Sequence, residues 1–302
     1  MEAYAKSGRP FFHQGTPAAA REMMQASLAA APAPVGLPEL ADVVNESIEG
    51  PIGPIPIRRY TPVGAAVGKA VYFHSGGWVV GTLDHADSVC RRLAAQAGCV
   101  LVSVDYRLAP EHPYPQPFED AYAALLWAAG ALPGPLLVVG ESAGGNLAAA
   151  CTIRARDEDG PEIAGQVLAY PATDHDFETA SHKEVGGRNW LLSTADMRWF
   201  WDHYCPEGID RNHPWIAPLR VPDASKLPPA FIRVAQLDPL RDEGLAYGRK
   251  LVEAGILVDA DCDANMLHGY WSAAGLVEAA TGAVTEAGNW MRERLHVRAQ
   301  AY

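Results

Sequence analysis

The 302-residue sequence is 49% hydrophobic and 20% charged, with a formal net charge of -12. That balance supplies a sizeable soluble core, excludes global disorder, and repels rather than gathers a polyanion, so no nucleic-acid partner is expected. The length suits one α/β domain with insertions.

No stretch approaches the roughly 18 apolar residues of a membrane span, and the opening MEAYAKSGRPFFHQ lacks the apolar centre of a signal peptide. No membrane association and a cytoplasmic location are therefore expected. Cys90, Cys99, Cys151, Cys205 and Cys262 are scattered and never form C-x-x-C, which predicts buried free thiols rather than disulfides or a zinc site.

Along the chain, the first 45 or so residues stand outside any regular alternation. SIEGPIGPIPIRRYTP, from Ser47, has the proline and glycine punctuation of short antiparallel edge strands. Strand-length apolar runs follow: KAVYF before His74, CVLVSVDY from Cys99, LLVV from Leu136, QVLAY from Gln166, AFIRVAQ from Ala230 and ILVDADC from Ile256. Several are rich in β-branched residues and lack polar alternation, as strands covered on both faces do. Helices are predicted over Asp84 to Ala97, Phe118 to Ala129 and Arg241 to Ala254, closed by Gly98, Gly130 and Gly255. Strand and helix alternating in this way predict an α/β fold, a mostly parallel central sheet with helices on both faces. An exposed edge strand of such a sheet is compatible with a homodimer.

Residues 173–229 break the alternation with WLLSTADMRWFWDHY, from Trp190 to Tyr204. Its aromatics fit either an amphipathic helix feeding the core or a cap over a pocket. On the second reading Trp190, Trp199 and Tyr204, with Trp78, form an aromatic wall that restricts the pocket to short or ring-bearing groups.

Gly140-Glu141-Ser142-Ala143-Gly144 fits G-x-S-x-G between a strand and a helical run, the context that pattern requires. A serine at the apex of so sharp a turn is strained and crowded, and glycines on either side remove the Cβ atoms that would collide. A phosphate-binding loop is excluded because Asn146 follows Gly145 where a lysine is needed, and Ser142 takes the place of the second glycine in a dinucleotide fingerprint. A purely structural turn remains the bland alternative.

A serine hydroxyl needs a histidine base and a carboxylate to orient it. His268 follows the ILVDADC strand, and Asp238 follows AFIRVAQ, with Asp242 as a substitute. His13, His175, His182, His203, His213 and His296 have no such placement and are read as structural. The glycine pair of Phe73-His74-Ser75-Gly76-Gly77-Trp78 predicts an oxyanion hole from the N–H groups of Gly76, Gly77 and Ala143.

Together, HSGGW at 74–78, DYRLAPEHPYPQPFED at 105–120, GESAGGN at 140–146, YP at 170–171, DPLRDE at 238–243 and HGY at 268–270 resemble the bacterial hormone-sensitive-lipase-like (family IV) carboxylesterases of the α/β-hydrolase superfamily. The resemblance covers about Ile55 to His296. It implies Ser142 as nucleophile, His268 as general base and acid, Asp238 as orienting carboxylate, short-chain carboxylic esters as substrates, and no metal or organic cofactor. It also implies a helical cap built from residues 1–45 and 173–229 over a core of 46–172 and 230–302. Two positions depart from the family pattern: Ser75 replaces the first glycine of HGGG, and Glu141 replaces the aspartate of GDSAGGN. Asp105, Arg107, Glu111 and His112 are read as buried polar scaffolding. An amidase, lactonase or carbamate hydrolase with the same triad is the alternative, and a small-molecule binding protein on this scaffold is a further one.

Overall fold

The apolar runs assemble into one eight-stranded sheet in the computed structural model, which describes residues 11–188 and 190–299. Residues 1–10 of the N-terminal segment expected in the cap lie outside that range. The strands are β1 (Asp42–Ile48), β2 (Ile55–Thr61), β3 (Lys69–Phe73), β4 (Val100–Val104), β5 (Leu136–Glu141), β6 (Gly165–Ala169), β7 (Ala230–Leu237) and β8 (Val258–Leu267). Their order is β1-β2-β4-β3-β5-β6-β7-β8. Among the described residues, only the β1–β2 and β2–β4 pairs are antiparallel.

Alternate residues of the central strands enter two separate cores, as a sheet covered on both faces requires. Val71, Phe73 and Val138 pack with α3 (Gln116–Ala131), α4 (Ala143–Asp157) and α7 (Arg241–Glu253). Ala70, Tyr72 and Val139 pack with α2 (Leu83–Ala97) and α8 (Glu278–Ala299). Gly98, at φ 67°, ends α2 as expected. Gly130 does not end α3. The helix runs through it to Ala131 and stops at Leu132, ahead of Pro133, because a proline excludes the helical conformation for the residue before it.

Three further helices lie above the carboxyl ends of the strands: α1 (Pro17–Ala30), α5 (Ala180–Val185) and α6 (Thr194–Tyr204). Thr16 caps α1, with Pro17 at its first position. Arg21 fastens it to the core, donating to the carbonyls of Val79 and Ala109, both at 2.9 Å, and to both oxygens of Glu111. That bidentate contact holds the Glu111 carboxyl down at about 2. Asp196, buried in the first turn of α6, completes a capping box with Ser193 and accepts from both the backbone N–H and the ring Nδ1 of His13. Residues 11–30 and the 173–229 insert are thus joined in one layer.

Register sets up what lies at that edge. Phe73 stands beside Gly140, Glu141 beside Ala169, and a bulge after Ala235 brings Leu237 opposite Leu267. The residues following those last two are Asp238 and His268. A shift of one position would turn both side chains to the other face of the sheet.

Candidate active site

Ser142 sits between β5 and α4 with φ 55° and ψ -119°, a left-handed conformation that costs a non-glycine residue of order 1–3 kcal/mol. The surroundings hold it there. Its N–H donates to the Ala169 carbonyl at 2.9 Å, and its carbonyl accepts from Asn146 and Ala172 at 3.0 and 3.2 Å. The Asn146 side-chain amide donates to the carbonyls of Ala172 and Ile216, tying this turn to the insert. A Cβ at Gly140 would collide with the Gly144 carbonyl, and one at Gly144 with the carbonyls of Phe73 and His74. Rigid backbone surrounds both positions, so Gly144→Ala is expected to lower unfolding free energy by roughly 3 kcal/mol, read from urea midpoints. An unchanged midpoint would show that the turn has room to relax.

The three side chains picked from strand ends meet. His268 Nε2 is 2.8 Å from Ser142 Oγ, and His268 Nδ1 is 2.7 Å from Asp238 Oδ2. Asp238 is fully buried, and its other oxygen accepts the Leu240 N–H at 2.9 Å. Asp242 is engaged elsewhere: it accepts from the Ser181 N–H at 2.7 Å and from Arg241. The choice between the two carboxylates therefore falls on Asp238.

Gly76 and Gly77 have φ of 128° and 58°. A Cβ at Gly76 would strike the Val80 carbonyl, and one at Gly77 the Phe200 ring. The Gly76 carbonyl accepts from Val79 and Val80, closing a tight turn. Among the described residues, no protein acceptor takes the N–H of Gly76, Gly77 or Ala143. Ala143 is the first residue of α4, where backbone N–H groups point out of the helix. Ser75 does not adopt a positive φ, so this loop does not require glycine there. The neighbouring His74 is buried and stacked on Tyr106 at 4.3 Å, and its Nδ1 lies 2.7 Å from the Ser75 carbonyl. Burial lowers the His74 pKa to about 4, so at neutral pH it is an uncharged prop for the loop.

A cavity of about 300 Å³ opens over Ser142, His268, Gly76 and Gly77. Its apolar wall is made of Phe12, Met24, Leu28, Leu192, Met197 and Phe200. The four aromatics expected in that wall stand elsewhere. Trp78 is fully buried and stacked on the equally buried Tyr204 at 4.3 Å, forming the packing between loop and cap rather than the cavity surface. Trp199 sits edge-on to His203 and Phe200, and Trp190 lies under the Arg188 guanidinium. The three wall residues from residues 11–30 carry no local signal of their destination, since a helix sequence shows which face is apolar but not what that face covers. A larger cavity, of about 600 Å³, lies at the amino ends of the strands near Lys69 and Leu136 and contains none of these groups.

The residues expected as buried polar scaffolding are less buried than that: Asp105, Arg107 and His112 are partly exposed and Glu111 is exposed beside Arg21, although Arg107 pairs with the buried Asp120 and its backbone N–H also donates to that carboxylate. Among the described residues, no cluster of three or more His, Cys, Asp or Glu side chains could hold a metal ion. None of their helices is long and apolar enough to cross a membrane.

A family model described as the alpha/beta hydrolase fold matches residues 70–272. The chain is similar to Esterase LipI of Mycobacterium tuberculosis, 44% identical over 271 residues that cover 86% of this chain and 84% of LipI. It is similar to Carboxylic ester hydrolase LipN of the same organism, 44% identical over 242 residues covering 76% of this chain and 64% of LipN, slightly less than two thirds of that relative's length. Its structure resembles that of a thermostable esterase from Pseudomonas putida, with 33% identity and a TM-score of 0.91, over 97% of this chain and 95% of that one.

Proposed function

Since the chain belongs to the hormone-sensitive-lipase-like carboxylesterases of the α/β-hydrolase fold, we propose that it hydrolyses short-chain carboxylic esters through an acyl-enzyme on Ser142. The observation that carries this reading is the hydrogen-bonded chain from Asp238 through His268 to Ser142, at 2.7 and 2.8 Å, opening onto an apolar cavity beside two glycines. Ser142 Oγ attacks the ester carbonyl carbon as its proton passes to His268 Nε2. The buried Asp238 carboxylate holds the Nδ1 proton and stabilises the imidazolium. The oxyanion lies against the N–H groups of Gly76, Gly77 and Ala143, each contributing on the order of 3 kcal/mol to the transition state. Collapse of the tetrahedral intermediate breaks the bond to the alkoxy oxygen, which leaves as the alcohol with the proton from His268. Water then attacks the acyl-enzyme carbonyl carbon, giving its proton to the same nitrogen, and collapse of the second intermediate breaks the bond to Ser142 Oγ, which takes that proton back from His268 as the carboxylic acid departs. A fluorophosphonate probe is expected to label Ser142 and no other residue. Matched ester and amide substrates test the bond preference.

The short-chain preference rests on the cavity volume and on Phe200, which covers Gly77 and packs on Phe12 at 5.2 Å. A p-nitrophenyl ester series is expected to peak at short acyl chains. Phe200→Ala is expected to move the peak to longer ones, gaining roughly fourfold in relative kcat/KM per added methylene until the space is filled. A peak at long chains in the unsubstituted enzyme would overturn the size argument. A cytoplasmic location belongs to the same reading, supported by five free cysteines, four of them buried.

A further inference from the structure

Glu141, the residue before the nucleophile, is buried below the site rather than facing solvent. One carboxylate oxygen accepts the Tyr72 hydroxyl from β3, and the other accepts the Tyr170 hydroxyl from the turn after β6. Tyr170 has φ 37°, and its backbone N–H donates to the Arg233 carbonyl. Its ring meets the His268 imidazole edge-on, with centroids 5.0 Å apart. One side chain therefore touches both the buried carboxylate and the imidazole that faces Ser142.

We propose that Glu141 is a positioning residue for His268, orienting the imidazole through Tyr170 and supplying a second negative charge beneath the imidazolium that forms during acyl transfer. This rests on His268 being the general base. The groups facing the pair are Tyr72 on β3, Tyr170 after β6, Asp238 after β7, and His268 with Tyr270 after β8. Beyond them, the Tyr270 hydroxyl is spent on Asp263, and the Arg233 guanidinium is paired with Asp259 and Glu286. Among the described residues, no lysine, arginine or histidine is hydrogen-bonded to Glu141, and of these side chains His268 alone pulls on its ionisation.

The electrostatic consequences have opposite signs for activity and stability. Burial raises the Glu141 carboxyl to about 7, against the opposing pull of the Tyr170 hydroxyl and His268. A carboxyl raised in the folded state favours folding while it is protonated, and that contribution is lost as pH rises through about 7. Once ionised, the same group favours the imidazolium. The charge thus aids the reaction in the pH range where it burdens the fold.

The test is Glu141→Gln, which keeps the side-chain length and hydrogen-bonding capacity but cannot ionise, alongside Glu141→Asp, which keeps the charge. The acid limb of the kcat/KM profile is expected to move about one unit to lower pH in the Gln variant. The plateau is expected to fall roughly threefold to tenfold. Its melting temperature should rise relative to the unsubstituted enzyme on going from pH 5.5 to 8.5, as the loss of any carboxyl raised by burial would make it do, whereas the shifted limb is the change that a merely structural glutamate would not show. The Asp variant should retain the original limb. If the Gln variant fails to fold, Tyr72→Phe, which weakens support for the anion from the side of β3, should move the limb in the same direction by less. An unshifted limb with a full plateau, or equal shifts in Gln and Asp, would overturn the inference. Each variant is also treated with a fluorophosphonate probe: labelling at Ser142 with an unshifted limb rejects only the role of Glu141, whereas labelling at another residue rejects the site itself.

Discussion

Ser142→Ala is expected to lower kcat/KM for a short-chain p-nitrophenyl ester by about a millionfold, because nucleophile, base and orienting carboxylate act as a unit and the loss of one disables all. Removal of Oγ leaves His268 Nε2 facing the cavity with nothing to deprotonate. Residual turnover above water, on the order of a thousandfold, comes from the oxyanion donors and from binding. The fold should be little changed: alanine adopts the same strained backbone at φ 55°, and the Ser142 N–H and carbonyl bonds involve no side-chain atom. The lost hydroxyl contact is worth about 1 kcal/mol. Steady-state kinetics with mass-spectrometric exclusion of the unsubstituted enzyme measures the first quantity, and a melting curve the second. A variant retaining near-full hydrolysis would remove Ser142 from the mechanism. One that is both inactive and unfolded would show instead that the hydroxyl is structural.

The reactive residues are legible in the sequence because their chemistry constrains what surrounds them. A strained serine needs glycines at 140 and 144 to clear the Phe73, His74 and Gly144 carbonyls, and those glycines are visible as a motif. Asp238 and His268 are visible as an acid and a histidine that follow late strand-length runs in the chain order serine, aspartate, histidine. What decides between Asp238 and Asp242 is not visible: a bulge in the pairing of β7 with β8 and a single backbone bond from Leu240. The cavity wall differs from expectation for another reason. In α6 the residues facing the cavity, Met197 and Phe200, alternate closely with the core residues Trp201 and Tyr204, so hydrophobic periodicity alone does not separate them. The largest rings go to the dry interior, where Trp78, Trp201 and Tyr204 bury the most area, while smaller and more adaptable side chains line the space left for substrate. Glu141 is visible only as a departure from a family pattern. Its link to His268 depends on Tyr170, which lies 29 residues from it in sequence.

Asp238→Asn is expected to lower kcat/KM by about ten thousandfold while leaving the backbone in place. The local hydrogen bonds dictate why. The Leu240 N–H requires an acceptor, so the carbonyl oxygen of the introduced amide must occupy the Oδ1 position and its NH2 group must take the Oδ2 position facing His268. An NH2 donor beside Nδ1 selects the imidazole tautomer that carries its proton on Nε2 instead. That proton then points at Ser142 Oγ, and a protonated nitrogen cannot accept another. Flipping the amide restores the imidazole tautomer but sets the NH2 group against the Leu240 N–H in a fully buried site, which costs on the order of 1–3 kcal/mol. Nitrogen-15 shifts of the His268 ring are expected to report the exchange of protonated and bare nitrogens between the two proteins. Turnover measured alongside them links the tautomer to the rate. A loss below about a hundredfold with the tautomer unchanged would mean that the buried carboxylate is dispensable, and that the orientation of His268 comes chiefly from Tyr170 and its partner Glu141.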